Sequence, residues 1–297
     1  MVGAEVRDVF PVDRRSRMVL GVCLLAALTV WMFPAGCGRT RAPLTEGVEL
    51  CYRLSGAPAD VAAVSEQEKA EQREKLIRRT ENALDIVRRR LEAAGDLPVI
   101  VLMGDPGEIL IRTAALSKIG QQWVDNLVTQ LGVLEFRIVL SPKEYEAMSQ
   151  QERRRTDVQI MRAKLHTEGG EEPRYESLYV QRNDDYHLGG KHLKRVFASQ
   201  DEFGGPAVGF ELTDEGAEVF SGMTTMQSAK EGRIAIILNG TVTSAPVVRT
   251  KIGSRGIITG DFTSRDVEDL VAVLQAGELG ESLVFVARRR FDLKETP

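Results

Sequence analysis

The chain has 297 residues, of which 43% are hydrophobic and 28% charged, enough apolar sequence for one large or two ordinary globular domains. Its formal net charge is -4, and only 6% of its residues are aromatic. Proteins that bind nucleic acid present basic surfaces and aromatic platforms for bases. The composition therefore argues against nucleic acid as a partner.

Residues 18–37 predict export from the cytoplasm. Arginines precede an uncharged apolar run from Met18 to Phe33, and small residues follow it before Cys37. This order is typical of a secretory signal, with Cys37 as a candidate lipid attachment site. Counted through Cys37, the run reaches about 20 residues, so an uncleaved membrane helix is the alternative. Either anchor would follow a basic region (1–17), precede a polar tether (38–46) and leave the bulk of the chain extracytoplasmic, in the periplasm.

Residues 47–140 predict a first domain with the order βαββαβ. Its elements are a strand at 47–54, a helix at 65–94 opened by a capping box, strands at 99–103 and 109–113, a helix at 117–131 and a strand within 131–140. This order is typical of ferredoxin-like folds, in which two helices cover one face of an antiparallel sheet. We therefore predict an α+β fold with a ferredoxin-like base.

The two helices of this domain carry different surfaces. The first holds eight basic and seven acidic side chains between Ser65 and Ala94, so we interpret its arginine run at 88–90 as a solvated face. In the second, Ile119, Trp123 and Leu127 form one apolar stripe, with Trp123 as a core anchor.

Residues 141–281 predict an inserted α+β head. A polar helix is predicted from Ser141 to about Leu165, followed by a loop-rich stretch. Further along, we predict strands at 177–181, 207–212, 233–238, 241–248 and 256–259, and helices after Thr213 and Thr263. Residues 282–297 comprise a last strand at 282–287, which returns to the base, and a polar tail. The second half thus repeats the βαββαβ order of the first.

No catalytic motif with a mechanism behind it is found. His187 and His192 lie five residues apart beside Asp184 and Asp185, a spacing that some zinc sites use. No second ligand pair follows, so we favour a solvated loop. Ser244 stands beside a proline like a presented nucleophile, but no base accompanies it. We expect a non-enzymatic protein without cofactor or metal; a hydrolase using Ser244, or a metal enzyme using the His187 loop, is the weaker hypothesis.

Five segments together resemble the large extracytoplasmic domain of SecD, the accessory subunit of the Sec translocase. They are LEFR at 134–137, FELTDEGAEVF at 210–220, IAIILNGTVTSAPVV at 234–248, ITGDFT at 258–263 and LQAGEL at 274–279. Such an ordered series across residues 47–286 is more specific than any single motif. HLGGKHLKRV at 187–196 is similar to the family segment that opens the head, which implies that His192 starts a helix and does not bind a metal.

The resemblance implies a function in protein export. A SecD-like protein would bind unfolded secretory polypeptide outside the membrane, together with Sec channel components or a SecF-like subunit. The alternative is an envelope structural or interaction module, such as a lipoprotein, that keeps the fold without an export role. SecD continues into transmembrane helices, whereas no apolar run of that length follows Val286 here. We therefore expect a SecD-like extracytoplasmic domain on a single anchor that does not conduct protons by itself.

The segment around Asn239 and Gly240 differs from the family pattern, which usually has aspartate at 239. Asn-Gly between two β-rich runs predicts a two-residue hairpin, because both turn positions need positive φ. Asn239 also begins a glycosylation acceptor, an interpretation that the resemblance to a bacterial export component disfavours. Two other departures are the replacement of a glycine pair by residues 51–53 and the presence of Glu278 and Gly280 where alanine and proline are usual.

Overall fold

The computed structural model describes residues 44, 46–57, 65–95, 97–164 and 174–292. All of them belong to one compact unit, residues 42–297. The predicted anchor at 18–37, the lipid site at Cys37 and nearly all of the tether lie outside the described residues.

Within those residues the chain forms twelve strands and six helices. The strands are β1 (Glu46–Leu54), β2 (Val99–Met103), β3 (Glu108–Thr113), β4 (Leu134–Leu140), β5 (Val158–Lys164), β6 (Tyr175–Gln181), β7 (Leu193–Gln200), β8 (Pro206–Leu212), β9 (Arg233–Leu238), β10 (Thr241–Ser244), β11 (Arg255–Ile258) and β12 (Leu283–Asp292). The helices are α1 (Glu66–Ala93), α2 (Lys118–Thr129), α3 (Pro142–Ala147), α4 (Gln150–Arg155), α5 (Asp214–Ser228) and α6 (Ser264–Ala276). The prediction of an α+β fold is confirmed.

One antiparallel sheet forms the base, in the order β12-β1-β3-β2. β1 pairs with β12 along its whole length, from Glu46 opposite Asp292 to Leu54 opposite Leu283. β3 pairs with β1 on one side and with β2 on the other. This is a ferredoxin-like sheet whose fourth strand is β12, so the head is inserted between α2 and the last strand.

The alternating pattern of β1 places its apolar side chains under α1 and α2. Leu50, Tyr52 and Leu54 are almost completely buried, and so are Ile109 and Ile111 on the neighbouring β3. They share one apolar cluster with side chains of both helices. The period of two in the sequence therefore identifies the buried face of the base sheet.

β4 does not lie in the base sheet, and the prediction that it closes that sheet is wrong. It pairs instead with β9, from Leu134 opposite Leu238 to Val139 opposite Arg233. Periodicity predicts that a segment is a strand but does not identify its partner. Residues 134–140, assigned to the base by the sequence, therefore belong to the sheets of the head.

The head contains two sheets that share an apolar core. One is a closed five-stranded sheet with the strand order β10, β5, β6, β4 and β9. The other is a separate antiparallel sheet of β11, β8 and β7. The aromatic ring of Phe136, in the closed sheet, has its centroid 5.4 Å from that of Phe210 in the separate sheet and 5.6 Å from that of Phe220 in α5. The predicted second βαββαβ unit is wrong, because β8 and β9 lie in different sheets. β7 is a strand that the sequence analysis does not predict.

Residues 141–165 do not form the single helix that the sequence predicts. α3 ends at Ala147, and Ser149 then accepts a hydrogen bond from the amide of Glu152 in a second capping box that starts α4. Asp157 follows with a φ of 45°, a left-handed conformation that ends the helical segment and turns the chain into β5. The polar sequence therefore divides into two short helices and a strand.

Two local signals fold as predicted. The Ser65 side chain accepts from the amide of Glu68, and the Glu68 side chain accepts from the Ser65 amide, which completes the capping box of α1. Asn239 and Gly240 have φ values of 49° and 80°, so the β9–β10 hairpin has the predicted turn.

α2 departs from the predicted stripe at its first turn. Ile119 is 81% exposed, so its assignment to the apolar stripe is wrong, whereas Leu127 is buried. Trp123 packs against the base core, as predicted, and donates from Nε1 to Asp269 of α6 at 2.8 Å.

α6 joins the base to the head because both of its faces are buried. Val267, Leu270 and Leu274 belong to the apolar cluster of the head, while Ala272 and Val273 belong to that of the base. One helix thus takes part in two cores.

Arg90 is completely buried at the same junction. Its guanidinium donates to the carbonyl oxygens of Leu127 at 3.3 Å, Leu131 at 3.1 Å, Gly277 at 3.1 Å and Gln130. These carbonyls lie at the C-terminal ends of α2 and α6, where a helix leaves acceptors without internal partners. Burial lowers the pKa of Arg90 to about 10, which still leaves the guanidinium charged at neutral pH.

The prediction of a solvated arginine face is therefore wrong for one residue of the run. Arg88 and Arg89 are exposed, as predicted, but Arg90 is not. It lies three positions after Val87 and next to Leu91, both buried, so it projects from the apolar side of α1.

None of the helices in the described part of the chain is both long and apolar enough to cross a membrane.

Candidate functional site

A groove in the head lies where β4 leaves the closed sheet. It has a volume of about 520 Å³. Its lining comes from three segments, namely 139–142 with Glu144, 176–179 and 230–233. We call this feature the head groove.

The head groove exists because β4 stops pairing with β6 after two residues. Val139 lies opposite Val180 and Leu140 opposite Tyr179, and the ladder ends there. Ser141 turns to cap α3, accepting from the Glu144 amide at 3.3 Å. Pro142 follows without an amide proton to donate, so the strand cannot continue. β6 itself extends four residues further, to Tyr175.

The direction of the main chain shows which β6 residues face the groove. The amide of Phe136 donates to the carbonyl of Leu188, on the side of β4 away from β9. Main-chain groups alternate sides along a strand, so the amide and carbonyl of Leu140 point to the same side as those of Phe136. Leu140 therefore forms a hydrogen-bonded pair with Tyr179 of β6. Two residues back along β6, the amide and carbonyl of Ser177 then point into the groove. No described residue pairs with them, and Ser177 is exposed.

Two ion pairs span the groove and pair four of the five charged residues of its lining, all but Glu231. Arg233 donates to both carboxylate oxygens of Glu176, at 3.0 and 2.5 Å. At the rim, Lys230 donates to Glu144. The hydrogen bonds from Arg233 hold the pKa of Glu176 below its ordinary value, against the opposite effect of partial burial. Burial acts to raise the pKa of Glu144, but hydrogen bonds from Lys230 and Ser141 outweigh it, and that pKa is lowered as well.

Aromatic stacking fixes the outer wall. The rings of Tyr145 in α3 and Tyr179 in β6 stack with centroids 4.1 Å apart, and the Arg153 guanidinium lies 4.0 Å from the Tyr145 centroid. Arg153 also donates to the Tyr145 carbonyl at 2.7 Å. The short helix α3 is therefore packed against β6 at the edge of the groove.

The His187 loop is built from hydrogen bonds to its own main chain. The buried carboxylate of Asp184 accepts from the amide of His187 at 3.0 Å, while His187 and Asp185 themselves are exposed. His192 Nδ1 accepts from the amide of Gly189 at 3.2 Å. In the residues described, no three histidine, cysteine, aspartate or glutamate side chains are grouped to hold a metal ion.

His192 ends a single 3-10 turn, Gly190–His192, and the strand β7 follows at once. The implied role as a helix start is therefore wrong. The glycines before it let the chain pass close to β4, since a side chain at Gly189 would meet the Leu134 carbonyl at 2.7 Å.

Ser244 ends β10, and its Oγ is buried without a hydrogen-bond partner among the described residues. It lies opposite Ile236 in the ladder with β9. A nucleophile needs a base within hydrogen-bond distance. In the described part of the chain, Ser244 thus takes part in the hairpin and has no base at hydrogen-bond distance.

The charged residues of LEFR lie at the other end of β4 from the head groove. Arg137 donates to Glu135 at 2.9 Å, and Arg182 lies 2.9 Å from the second oxygen of Glu135. Arg137 is also 4.0 Å from Asp184. These mostly buried charges compensate one another, which indicates a structural role within the closed sheet.

Few of the groove residues carry a signal in the sequence. Strand 177–181 is predicted, and the observed strand begins two residues earlier. Pro142 is predicted as a helix start, and the same residue ends the pairing of β4. Glu176 and Arg233 have no sequence signal, because nothing local shows that they meet across the groove.

A family model for the SecDF P1 head subdomain matches residues 162–280. The SecD subunit of the protein translocase from Aquifex aeolicus is 43% identical over 100 residues, which are 34% of this chain and 20% of that protein. The SecDF subunit of Thermus thermophilus is 28% identical over 269 residues, which are 89% of this chain and 33% of that protein. The chain thus spans a fifth to a third of the length of these relatives.

Two solved structures share the fold. A crystal structure of SecDF in a super-membrane-facing form superposes with a TM-score of 0.57 at 23% identity, covering 84% of this chain and 31% of that one. A second structure, of the membrane component SecDF that enhances protein export, has a TM-score of 0.52 at 22% identity and covers 80% of this chain and 98% of that one. At these identities the likeness extends to the fold alone.

Proposed function

We propose, since this chain belongs to the SecD family, that it is an accessory of Sec-dependent protein export that binds unfolded polypeptide in the head groove. The proposal includes an extracytoplasmic position on an anchor at 18–37. It also includes Sec channel components or a SecF-like subunit as partners. No catalytic step is part of it.

The observation that carries the proposal is the exposed, unpaired main chain of β6 in the head groove. Two of the three lining segments, 176–179 and 230–233, fall within the residues that match the SecDF head model. An unfolded polypeptide differs from a folded one chiefly in having main-chain groups free to pair. A site with free main-chain groups of its own is suited to that class of partner.

The charges of the groove support the same partner. Glu176 with Arg233 and Glu144 with Lys230 pair four of the five charged residues of the lining, so its formal charge is -1, from Glu231. An export accessory must accept many unrelated sequences, and a groove whose charges are mostly paired selects only weakly for the sign of the charge on the bound segment. The stacked Tyr145 and Tyr179 add an apolar wall.

The experiment is photo-crosslinking in cells. A photoreactive amino acid replaces Glu231, which is exposed and lines the groove, and in a matched variant it replaces Glu81, which is exposed on α1 of the base. During a block in export we expect secretory polypeptides to be crosslinked from position 231 and not from position 81. Equal capture at both positions, or none, would contradict the proposal. Unchanged export in a deletion strain would favour the structural module instead.

A further inference from the structure

We infer that the head groove binds its polypeptide by strand addition, with an extended segment pairing along the free edge of β6. The inference rests on the proposed function and adds the mode of binding. It concerns the Ser177 end of β6, where the ladder with β4 has already ended.

The space has the width of one strand. Neighbouring strands lie about 4.8 Å apart. β4 lies between β6 and β9 as far as Val139, which is opposite Val180 of β6 on one side and Arg233 of β9 on the other. Beyond that point β4 departs at Ser141, so β6 and the segment before β9 enclose a slot about two strand spacings across. An extended polypeptide fits there in line with β4.

Only one wall of the slot offers strand pairing. On the β6 side, Ser177 presents an amide and a carbonyl that no described residue pairs with. On the other side, the Gly232 amide donates to Gln227 and its carbonyl accepts from Val248, while Glu231 has a φ of 51° and is not extended. A bound segment therefore gains its ladder from β6 alone.

The floor and the opening of the slot differ in polarity. Leu178 and Val139 are buried in the apolar cluster of the closed sheet, beside the Glu176–Arg233 pair. A strand laid over them alternates its side chains between this floor and solvent. The expected occupant is an extended polypeptide with small apolar residues at alternate positions, and neither a helix nor a folded domain fits the slot.

The test uses the full chain and an eight-residue synthetic peptide of alternating valine and serine, capped at both ends and fluorescently labelled. Two further peptides carry N-methyl groups on alternate amides, one on each edge of the extended peptide. A peptide that runs antiparallel to β6, as β4 does, with its valines on the floor presents only one edge to β6. We therefore expect one methylated peptide to bind about tenfold more weakly and the other within about twofold of the parent. Equal effects of the two methylated peptides would overturn strand addition.

Variants at one position give an independent measurement. Ser177→Pro removes the amide donor and blocks a neighbouring strand. Ser177→Ala removes the hydroxyl and keeps the main chain, so it is the matched control. We expect Ser177→Pro to bind the parent peptide about tenfold more weakly than Ser177→Ala does, with both variants showing the wild-type circular dichroism spectrum.

The outcomes separate the two proposals. If the parent peptide binds and neither N-methylation nor Ser177→Pro matters, the inference is wrong and the proposed function stands. If Ser177→Pro instead converts a dimer to a monomer in light scattering, the edge pairs with a second copy of the chain and the inference is overturned. If no peptide binds and position 231 captures no secretory polypeptide in cells, the proposed function itself fails.

Discussion

The ends of α2 and β4 differ in how the main-chain groups beside them find hydrogen-bond partners. Each element ends and leaves main-chain groups without partners. At the end of α2 the carbonyls of Leu127, Gln130 and Leu131 all accept from the buried Arg90. At the end of β4 the facing groups of Ser177 remain open to solvent. The first region is internally complete and serves stability, whereas the second is incomplete and is available to a ligand.

The difference also separates the two uses of charge in the molecule. Arg90 has carbonyl oxygens as its only hydrogen-bond partners among the described residues, so its charge is fixed in the joint between base and head. Glu176 and Arg233 are partly exposed and paired with each other across the groove. Removal of the Arg90 charge should therefore lower the stability of the fold strongly, whereas removal of the Glu176 or Arg233 charge should lower it only slightly.

The largest effect is expected for Arg90→Met. The substitution keeps much of the apolar stem but removes a donor from four carbonyls. Of these, the Leu131 carbonyl still accepts from the Leu279 amide, whereas those of Leu127, Gln130 and Gly277 have no other main-chain donor outside the helices in the described chain. The loss should lower the free energy of unfolding by about 3–5 kcal/mol. Chemical denaturation of the variant measures it. Arg89→Met is the matched control, since Arg89 is exposed on the same helix, and it should change stability by less than about 0.5 kcal/mol. Similar losses for both variants would show that Arg90 does not join the two regions.

A smaller effect is expected for Asn239→Ala in the hairpin next to the joint. The side-chain oxygen of Asn239 accepts from the amides of Gly132 at 2.8 Å and Val133 at 3.0 Å, at the link between α2 and β4. Alanine loses both bonds and disfavours the φ of 49°, at a cost of about 2 kcal/mol. Asn239→Asp keeps an acceptor and should remain within about 1 kcal/mol of the wild type. A thermal melt in which aspartate is as harmful as alanine would contradict this assignment.

The smallest effect on stability is expected when low pH protonates Glu176 and removes its ion pair with Arg233. The folded-state pKa of Glu176 lies below its ordinary value of 4.5, so its ion pair stabilises the fold above that pH. The contribution should disappear as pH falls through the lower folded-state pKa. Glu176→Gln should therefore be less stable than wild type at pH 7 by under about 1 kcal/mol, and the two should converge as pH falls from the ordinary pKa of 4.5 through the lower folded-state pKa. Parallel curves of stability against pH would show that Arg233 does not interact with Glu176.

Local signals in the sequence predict the elements well and their partners poorly. The capping box at Ser65, the Asn239-Gly240 turn and the alternation of β1 each depend on a few neighbouring residues, and all three are observed. β4 is also predicted as a strand. Its place in the head depends on pairing with β9, about a hundred residues later in the chain, which no local pattern encodes.

The same limit explains the errors at Arg90 and in the site. An arginine at the end of a run of three arginines is normally solvated, and only the approach of α2 and α6 makes Arg90 a buried donor. The second capping box at Ser149 is a local signal that would have divided the predicted helix at 141–165. The head groove has no such signal, because it arises where one strand stops and its neighbour continues.

The central claim is that the free edge of β6 pairs with an extended polypeptide. Hydrogen exchange of individual amides, with and without the valine–serine peptide, tests it most directly. The Ser177 amide points into the groove, while the next residue, Leu178, points toward β5 and lies in that ladder. We predict that the peptide slows exchange at Ser177 at least about tenfold and leaves Leu178 nearly unchanged. Saturating peptide with no added protection at Ser177 would contradict the claim.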